Sequence, residues 1–339
     1  MIDAGRYTSG RIAIANLSAS IESLERRRRD GAGFDDLLAL STRLFLRGDL
    51  LGRLADHDRG ECVADDAAAA SPDPATAAFV RARIAARFHR FDEARVWLDA
   101  ADAARVPRRD LDAERASLLQ ATGHYAAALA LRERLAAEAP AISTLGSLAS
   151  LLADMGEWPA AERCYAAALR ADEGLTPIPC GQLWFEWGVG AMRRGDLDGA
   201  AALFAELEAI LPAHVPGRGH RAEVALARGR ADEALALVAP LVDDSDDPEY
   251  RVTYAEVLAA CGDRDGSVMQ RDRAADEYQL LLARRPEAYA DHAAEFFMGI
   301  GNCPDLAVDL ATLNVGLRDT PRSRDLLARA RRALAFVHD

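Results

Sequence analysis

The stretch LWFEWGVGAMRRGDLDGAAALFAELEAILP, residues 183–212, decides the fold. Trp184, Trp187 and Ala191 follow one another at spacings of three and four, which places them on one face of a helix. Gly188 stands among them, where a residue without a side chain lets a neighbouring helix come close. Gly195 interrupts the pattern, and Leu197, Ala200, Phe204 and Leu207 then define a second apolar face that Pro212 ends. The unit is therefore two amphipathic helices joined by a glycine turn. A tight turn between antiparallel helices often needs a residue at positive φ, which glycine adopts without a steric penalty.

The unit recurs along the chain. Glycines fall at Gly123, Gly156, Gly195, Gly229, Gly262 and Gly301, with gaps of 33, 39, 34, 33 and 39. His89 lies 34 residues before Gly123, and Gly48 lies 41 before His89, which extends the ladder of turns towards the N-terminus. In TLGSLASLLADMGEWPAAERCYAAAL, residues 144–169, Leu145, Leu148, Ala149 and Leu152 precede Gly156, and Trp158, Ala161, Tyr165 and Ala168 follow it. The unit before keeps Leu119, Tyr125, Ala128 and Pro140, but Arg132 stands where the aromatic recurs. Arg218 and Arg221 occupy apolar positions ahead of Gly229. About seven extra residues follow Gly262 before the helix marked by Ala274, Tyr278 and Leu281.

These units resemble tetratricopeptide repeats (TPR), which have a 34-residue period, in the alanine after the turn and the aromatic four residues later. The resemblance implies an all-α protein: an α-solenoid, wound as a right-handed superhelix of about seven helical hairpins. Residues 34–320 form the array. Residues 1–33 read as an N-terminal helical arm ending in Arg26–Arg29, and residues 321–339 as a C-terminal capping helix with Thr320 as N-cap and Pro321 at the first position.

Composition narrows the function. Half of the 339 residues are hydrophobic, and the formal charge is −13 with no lysine in the chain. A balance this acidic argues against nucleic acid, which needs cationic surface, and against an anionic membrane. No run approaches 18 apolar residues and no leader stands at the N-terminus, so the expected location is the cytoplasm. Cys62, Cys164, Cys180, Cys261 and Cys303 show no CxxC spacing and read as free thiols. The chain carries no HExxH, GxSxG, P-loop or placed GxGxxG motif, which favours a non-enzymatic protein.

The resemblance also implies that the first helix of each hairpin lines a concave groove, at positions nine and six before the turn. Nine before stand Glu114, Ser147, Glu186, His220, Thr253 and His292; six before stand Ser117, Ser150, Val189, Glu223, Glu256 and Glu295. The candidate binding residues are Glu186, His220, Glu223, Glu256, His292 and Glu295, with Phe185 and Asp291 beside them. An acidic trough of this kind suits a basic protein or peptide, so the first reading is a scaffold or adaptor. A basic clamp for acidic tails is disfavoured, because acids occupy these positions.

The second reading is a site for a divalent metal or small molecule, with catalysis as an option. His220-x-x-Glu223 and His292-x-x-Glu295 are i, i+3 pairs, with Glu256 between them. Both pairs reach one ion only if the superhelix curves strongly, since adjacent helices lie about 8–10 Å apart. No other cofactor is expected. The third reading is a regulatory protein that sequesters a transcription factor or enzyme. A homo-oligomer joined through the convex face or arm stays open. The bland reading is a solvated inner face whose glutamates pair with Arg193, Arg221 or Arg251.

Overall fold

The structure, a computed structural model, describes residues 6–102 and 106–338. Residues 1–5 of the expected arm, 103–105 of the array and Asp339 of the cap lie outside the described residues. Among the described residues there are 19 helices and no strand. An arm helix, α1 (Gly10–Arg29), precedes the hairpins α2 (Phe34–Leu51)/α3 (Leu54–Ala69), α4 (Pro74–Arg87)/α5 (Phe91–Asp102) and α6 (Arg108–Ala121)/α7 (Tyr125–Glu138). Next come α8 (Ile142–Asp154)/α9 (Trp158–Arg170), α10 (Ile178–Arg193)/α11 (Leu197–Ile210) and α12 (Val215–Ala227)/α13 (Ala231–Val238), the last followed by the short α14 (Leu241–Asp244). The array ends with α15 (Pro248–Ala260)/α16 (Arg264–Arg284) and α17 (Pro286–Met298)/α18 (Pro304–Leu317), capped by α19 (Pro321–His338). Eight hairpins stand where about seven were expected: each of the eight turns marked in the sequence, that at His89 without a glycine included, closes a full hairpin.

One turn geometry accounts for most of the ladder. Gly123, Gly156, Gly195, Gly229 and Gly262 all have φ between 72° and 88°. The residue after each donates its N–H five residues back, as Asp196 does to the Ala191 carbonyl at 3.0 Å. His89 takes the same place at φ 57°, with Arg90 N–H bound to the Ala85 carbonyl at 2.8 Å. Two expected turns move. Gly48 lies inside α2, and Gly52 makes the turn at φ 59°. Gly48 serves packing, since a Cβ there would lie 2.3 Å from the His57 ring. At the last hairpin Asn302, not Gly301, takes the left-handed backbone, at φ 48°. The extra residues after Gly262 form no loop; they lengthen α16 to 21 residues.

Inside each hairpin the small and aromatic positions interlock. Tyr165 is 1% exposed against the fully buried Ala149, Ala161 and Ala168. Trp187 stacks between Tyr165 and Trp184, with ring centroids 5.2 and 5.5 Å away. Arg132, in place of an aromatic, is buried and donates to Ser117 Oγ at 2.9 Å. Thr320 and Ser323 exchange side-chain-to-backbone hydrogen bonds at the start of α19, the reciprocal cap of a helix N-terminus.

The arm docks on the array. Leu17, Ile21 and Leu24 of α1 share a core with Leu40 and Leu44 of α2 and with Trp184, Phe204 and Leu207. Two of the four arginines that end α1 pair with the array, Arg27 with Asp36 and Arg28 with Asp66, each at 2.7 Å. The array then meets itself. The Gly52 carbonyl accepts from Ser245 Oγ, 193 residues on. The His89 ring meets the Glu287 carbonyl, 198 residues on, at 3.0 Å. Gly123 lies against the Asp319 carbonyl, 196 residues on. An offset this constant means that one superhelical turn takes between five and six 34-residue repeats. Arg285 pairs with Asp58 at 2.5 Å and with Glu61, and Arg284 with Asp58 at 2.9 Å, along the same seam.

Candidate functional site

That curvature turns the expected open groove into a chamber of about 1170 Å³. Its wall is built from the first helices α8, α10, α12, α15 and α17, completed by the α2–α3 corner and the start of α19. Phe185, Glu186, His220, Glu223, Glu256, His292 and Glu295 all line it. Asp291 corrects the expectation: it is 6% exposed, lies within the wall and pairs with Arg318. Its side chain turns towards α18, because His292 takes the groove-facing position beside it.

The α12–α15 wall is the most acidic. Glu223 accepts from His220 Nδ1 at 2.9 Å and from Thr253 Oγ1 at 3.3 Å. Burial pushes the Glu223 carboxyl up, but the His220 charge and these hydrogen bonds outweigh it and hold the group below its usual range. Burial likewise opposes a charge on His220, yet Glu223 raises its affinity for a proton. Phe185 lies nearly flat against the His220 ring, with centroids 5.6 Å apart. Glu256 has no hydrogen bond or ion pair among the described residues. Glu256 is itself exposed to the chamber space; partial desolvation between the chamber walls, and then the Glu223 charge, push its carboxyl up to about 7.

Two further acids come from the start of α15. Asp247 caps that helix by accepting the Glu249 N–H at 3.0 Å, and burial followed by the Glu249 charge raises it to about 7. Glu249 faces His292 Nδ1 at 3.5 Å. The Asp291 and Glu249 charges together raise His292 to about 9. Elsewhere on the wall, Glu295 pairs with Arg329 at 3.1 Å, and Glu186 accepts from Gln182 at 3.2 Å while burial raises its carboxyl.

Strong curvature therefore brings both histidines onto one chamber, but not onto one point. His220 is held by Glu223, and His292 by Glu249 and Asp291. Among the described residues, no group of three or more His, Cys, Asp or Glu side chains is placed to hold a metal ion. Nor is any helix there long and apolar enough to cross a membrane. The three arginines of the bland reading pair with other acids: Arg221 with Glu208 and Glu233, Arg251 with Glu277, and Arg193 with Asp154 at 3.9 Å.

Asp247, Glu249 and Arg322 also line the chamber and were not among the expected groove residues; Arg193, named only as a possible partner of the groove glutamates, lines it too. Asp247 before Pro248 signals a helix start, but nothing local shows that this start faces inward. Arg193 and Arg322 fall outside the groove frame altogether, one at the end of α10 and one in the cap.

Stacked hairpins of constant turn geometry around a chamber define a helical-repeat solenoid. Models of the tetratricopeptide repeat match residues 45–107, 147–215 and 191–257, together about half of the chain, which belongs to the tetratricopeptide-repeat family. Repeats of this family mediate protein–protein interaction and scaffolding. No curated protein matches the sequence. Among solved structures, the chain is similar to a tetratricopeptide repeat protein from Parabacteroides merdae ATCC 43184, at 17% identity and TM-score 0.48, over 76% of this chain and 93% of that one. It is also similar to the Cut9–Hcn1 hetero-tetramer of the APC/C, at 14% identity and TM-score 0.47, over 87% of this chain and 64% of the other, less than two thirds of its length. A third likeness is to PilW, a type IV pilus biogenesis factor, at 15% identity and TM-score 0.39, over 74% and 98%.

Proposed function

We propose that the protein is a scaffold that seats a basic segment of a protein partner in its central chamber. The observation that carries this reading is the α12–α15 wall. Glu223, Asp247, Glu249 and Glu256 face one space, and among the described residues no arginine pairs with any of them; their cationic neighbours are His220 and His292. Carboxylates gathered in a concave, partly desolvated space focus their field and draw a cationic group in. An arginine or lysine side chain entering there finds Glu256 without a partner among the described residues, and Phe185 and Tyr250 supply apolar wall for its stem. An arginine-rich labelled hexapeptide followed by fluorescence anisotropy tests the reading. Binding is expected to weaken steeply as salt rises. Glu223→Gln with Glu256→Gln is expected to weaken it at least about tenfold, as for loss of charge partners at an interface. Salt-independent binding that the double variant leaves intact overturns the proposal.

A further inference from the structure

The seam forms part of the chamber wall. Gly52 and Leu54 line the chamber from one superhelical turn, and Asp247 and Glu249 from the next. Three hydrogen bonds join the two segments. Ser245 Oγ donates to the Gly52 carbonyl, and the Leu54 and Ala55 N–H groups donate to the Asp246 carboxylate at 2.5 and 2.9 Å. Helix α3 therefore takes its N-terminal cap from a residue 192 positions on, since Arg53, at its own N-cap, supplies no side-chain bond. Farther along the seam Arg284 and Arg285 reach Asp58, and Arg285 reaches Glu61.

The closure differs in kind along its length. Towards α1 it is apolar: Ile21 and Leu44 share one core with Phe204, Leu211 and Val224. At the α3 end it is polar and shallow. The Asp58 and Arg284 side chains are 31% and 56% exposed, and water competes for an ion pair so placed. Gly52 has no side chain to interlock with the Tyr250 ring, from which a Cβ would lie 2.9 Å. The apolar contact there is small, Ala288 against the cluster of Phe45 and Phe88. Each repeat keeps a core with its own neighbours, so parting the turns at this end unfolds none of them. The closure thus has an apolar hinge at one end and a polar latch at the other.

We propose that the seam is a side gate to the chamber. The contacts of Asp246, Arg284 and Arg285 release as a unit while the core shared by α1, α2 and α11 stays packed, and a stretch of partner chain enters between Leu54 and Asp247. What enters rests on the reading above; the opening itself does not. The test joins Asp58→Cys to Arg284→Cys with a short bismaleimide, in a full chain that also carries Cys62→Ser, Cys164→Ser, Cys261→Ser and Cys303→Ser. The same chain capped with N-ethylmaleimide is the unlocked control. Hydrogen exchange is read at the Leu54 and Ala55 amides, which the cross-link does not touch. They are expected to exchange at least about tenfold faster in the capped chain than in the cross-linked one, with the Val63 amide inside α3 slow in both. A chain with Asp58 and Arg284 in place falls between the two. Equal exchange in the capped and cross-linked chains overturns the gate. So does a Val63 amide that quickens with the other two, since α3 then unfolds instead of swinging away. Association of the arginine-rich hexapeptide, followed by stopped-flow anisotropy, is expected to slow at least about tenfold on cross-linking, with affinity changed far less. An unchanged association rate overturns the seam as the entrance. If the hexapeptide binds neither chain, the basic-segment reading fails and the exchange result still decides the gate.

Discussion

Glu256 is the residue on which the chamber's chemistry turns. It has no hydrogen bond or ion pair among the described residues, and its carboxyl is pushed up to about 7. An unfolded glutamate titrates at about 4.3, so between these values the native state holds the proton more tightly than the unfolded chain does. Stability on this account falls as pH rises from about 4.3 to about 7. Glu256→Gln is therefore expected to be more stable than the native chain at pH 8 and no more stable at pH 4, as urea titrations at the two values would show. Asp247, also raised to about 7, follows the same sign. Across that window the two acids gain negative charge while His292, raised to about 9, keeps its proton. A basic segment is thus expected to bind several-fold more tightly at pH 8 than at pH 6, and an unchanged anisotropy titration would count against the assignment. The groove frame made Glu256 legible in the sequence. Its isolation was not legible, because the nearest arginines could as well have pointed inward.

At the scale of elements, the turns divide by what surrounds them. Gly156 sits at φ 81° with nothing within 4 Å of a Cβ, so Gly156→Ala exacts only the left-handed backbone, about 1–2 kcal/mol. Gly123, at φ 82°, would place a Cβ 2.5 Å from the Asp319 carbonyl, and Gly123→Ala is expected to cost clearly more. Chemical denaturation of the two variants decides this, and equal losses would mean that the α18–α19 junction does not rest on this turn. Gly188→Ala is a third case, inside a helix, where the Cβ would meet the Phe204 ring at 2.6 Å; overpacking of this kind costs about 1–3 kcal/mol. The first and last turns show where sequence spacing misleads. Gly48 and Gly52 are one helical turn apart, and only packing against His57 shows that Gly48 stays inside the helix. At the other end Asn302 lies next to Gly301, and asparagine tolerates the left-handed backbone better than most residues do.

The whole molecule is a superhelix that meets itself. Its accessible surface, 15883 Å², exceeds the about 13,500 Å² of a compact 36.5 kDa protein, as a hollow array should. The seam relies on polar contacts: Arg284 and Arg285 with Asp58, Arg285 with Glu61, and Ser245 with Gly52. Arg285 also lies over the Phe88 ring at 4.2 Å. Asp58→Ala with Arg285→Ala is expected to loosen the seam and raise the radius of gyration in small-angle scattering, with high salt moving the native chain the same way. An unchanged radius would mean that the core shared by α1, α2 and α10 holds the curvature without the seam.

The sequence by itself determined the hairpin, its period, and which side chains face inward, seven of the eight candidates reaching the chamber. These follow from local spacing, since each helix face answers to the hairpin beside it. Tertiary structure alone decided the rest. The closure joins residues almost 200 apart, and it accumulates from small rotations between neighbours that no single repeat records. Closure placed Asp247, Glu249, Arg193 and Arg322 around the same space, buried Asp291 in the wall, and left Glu256 and Arg322 without partners among the described residues. Which charges remain unmatched depends on who meets whom across the ring, and that is a property of the assembled superhelix.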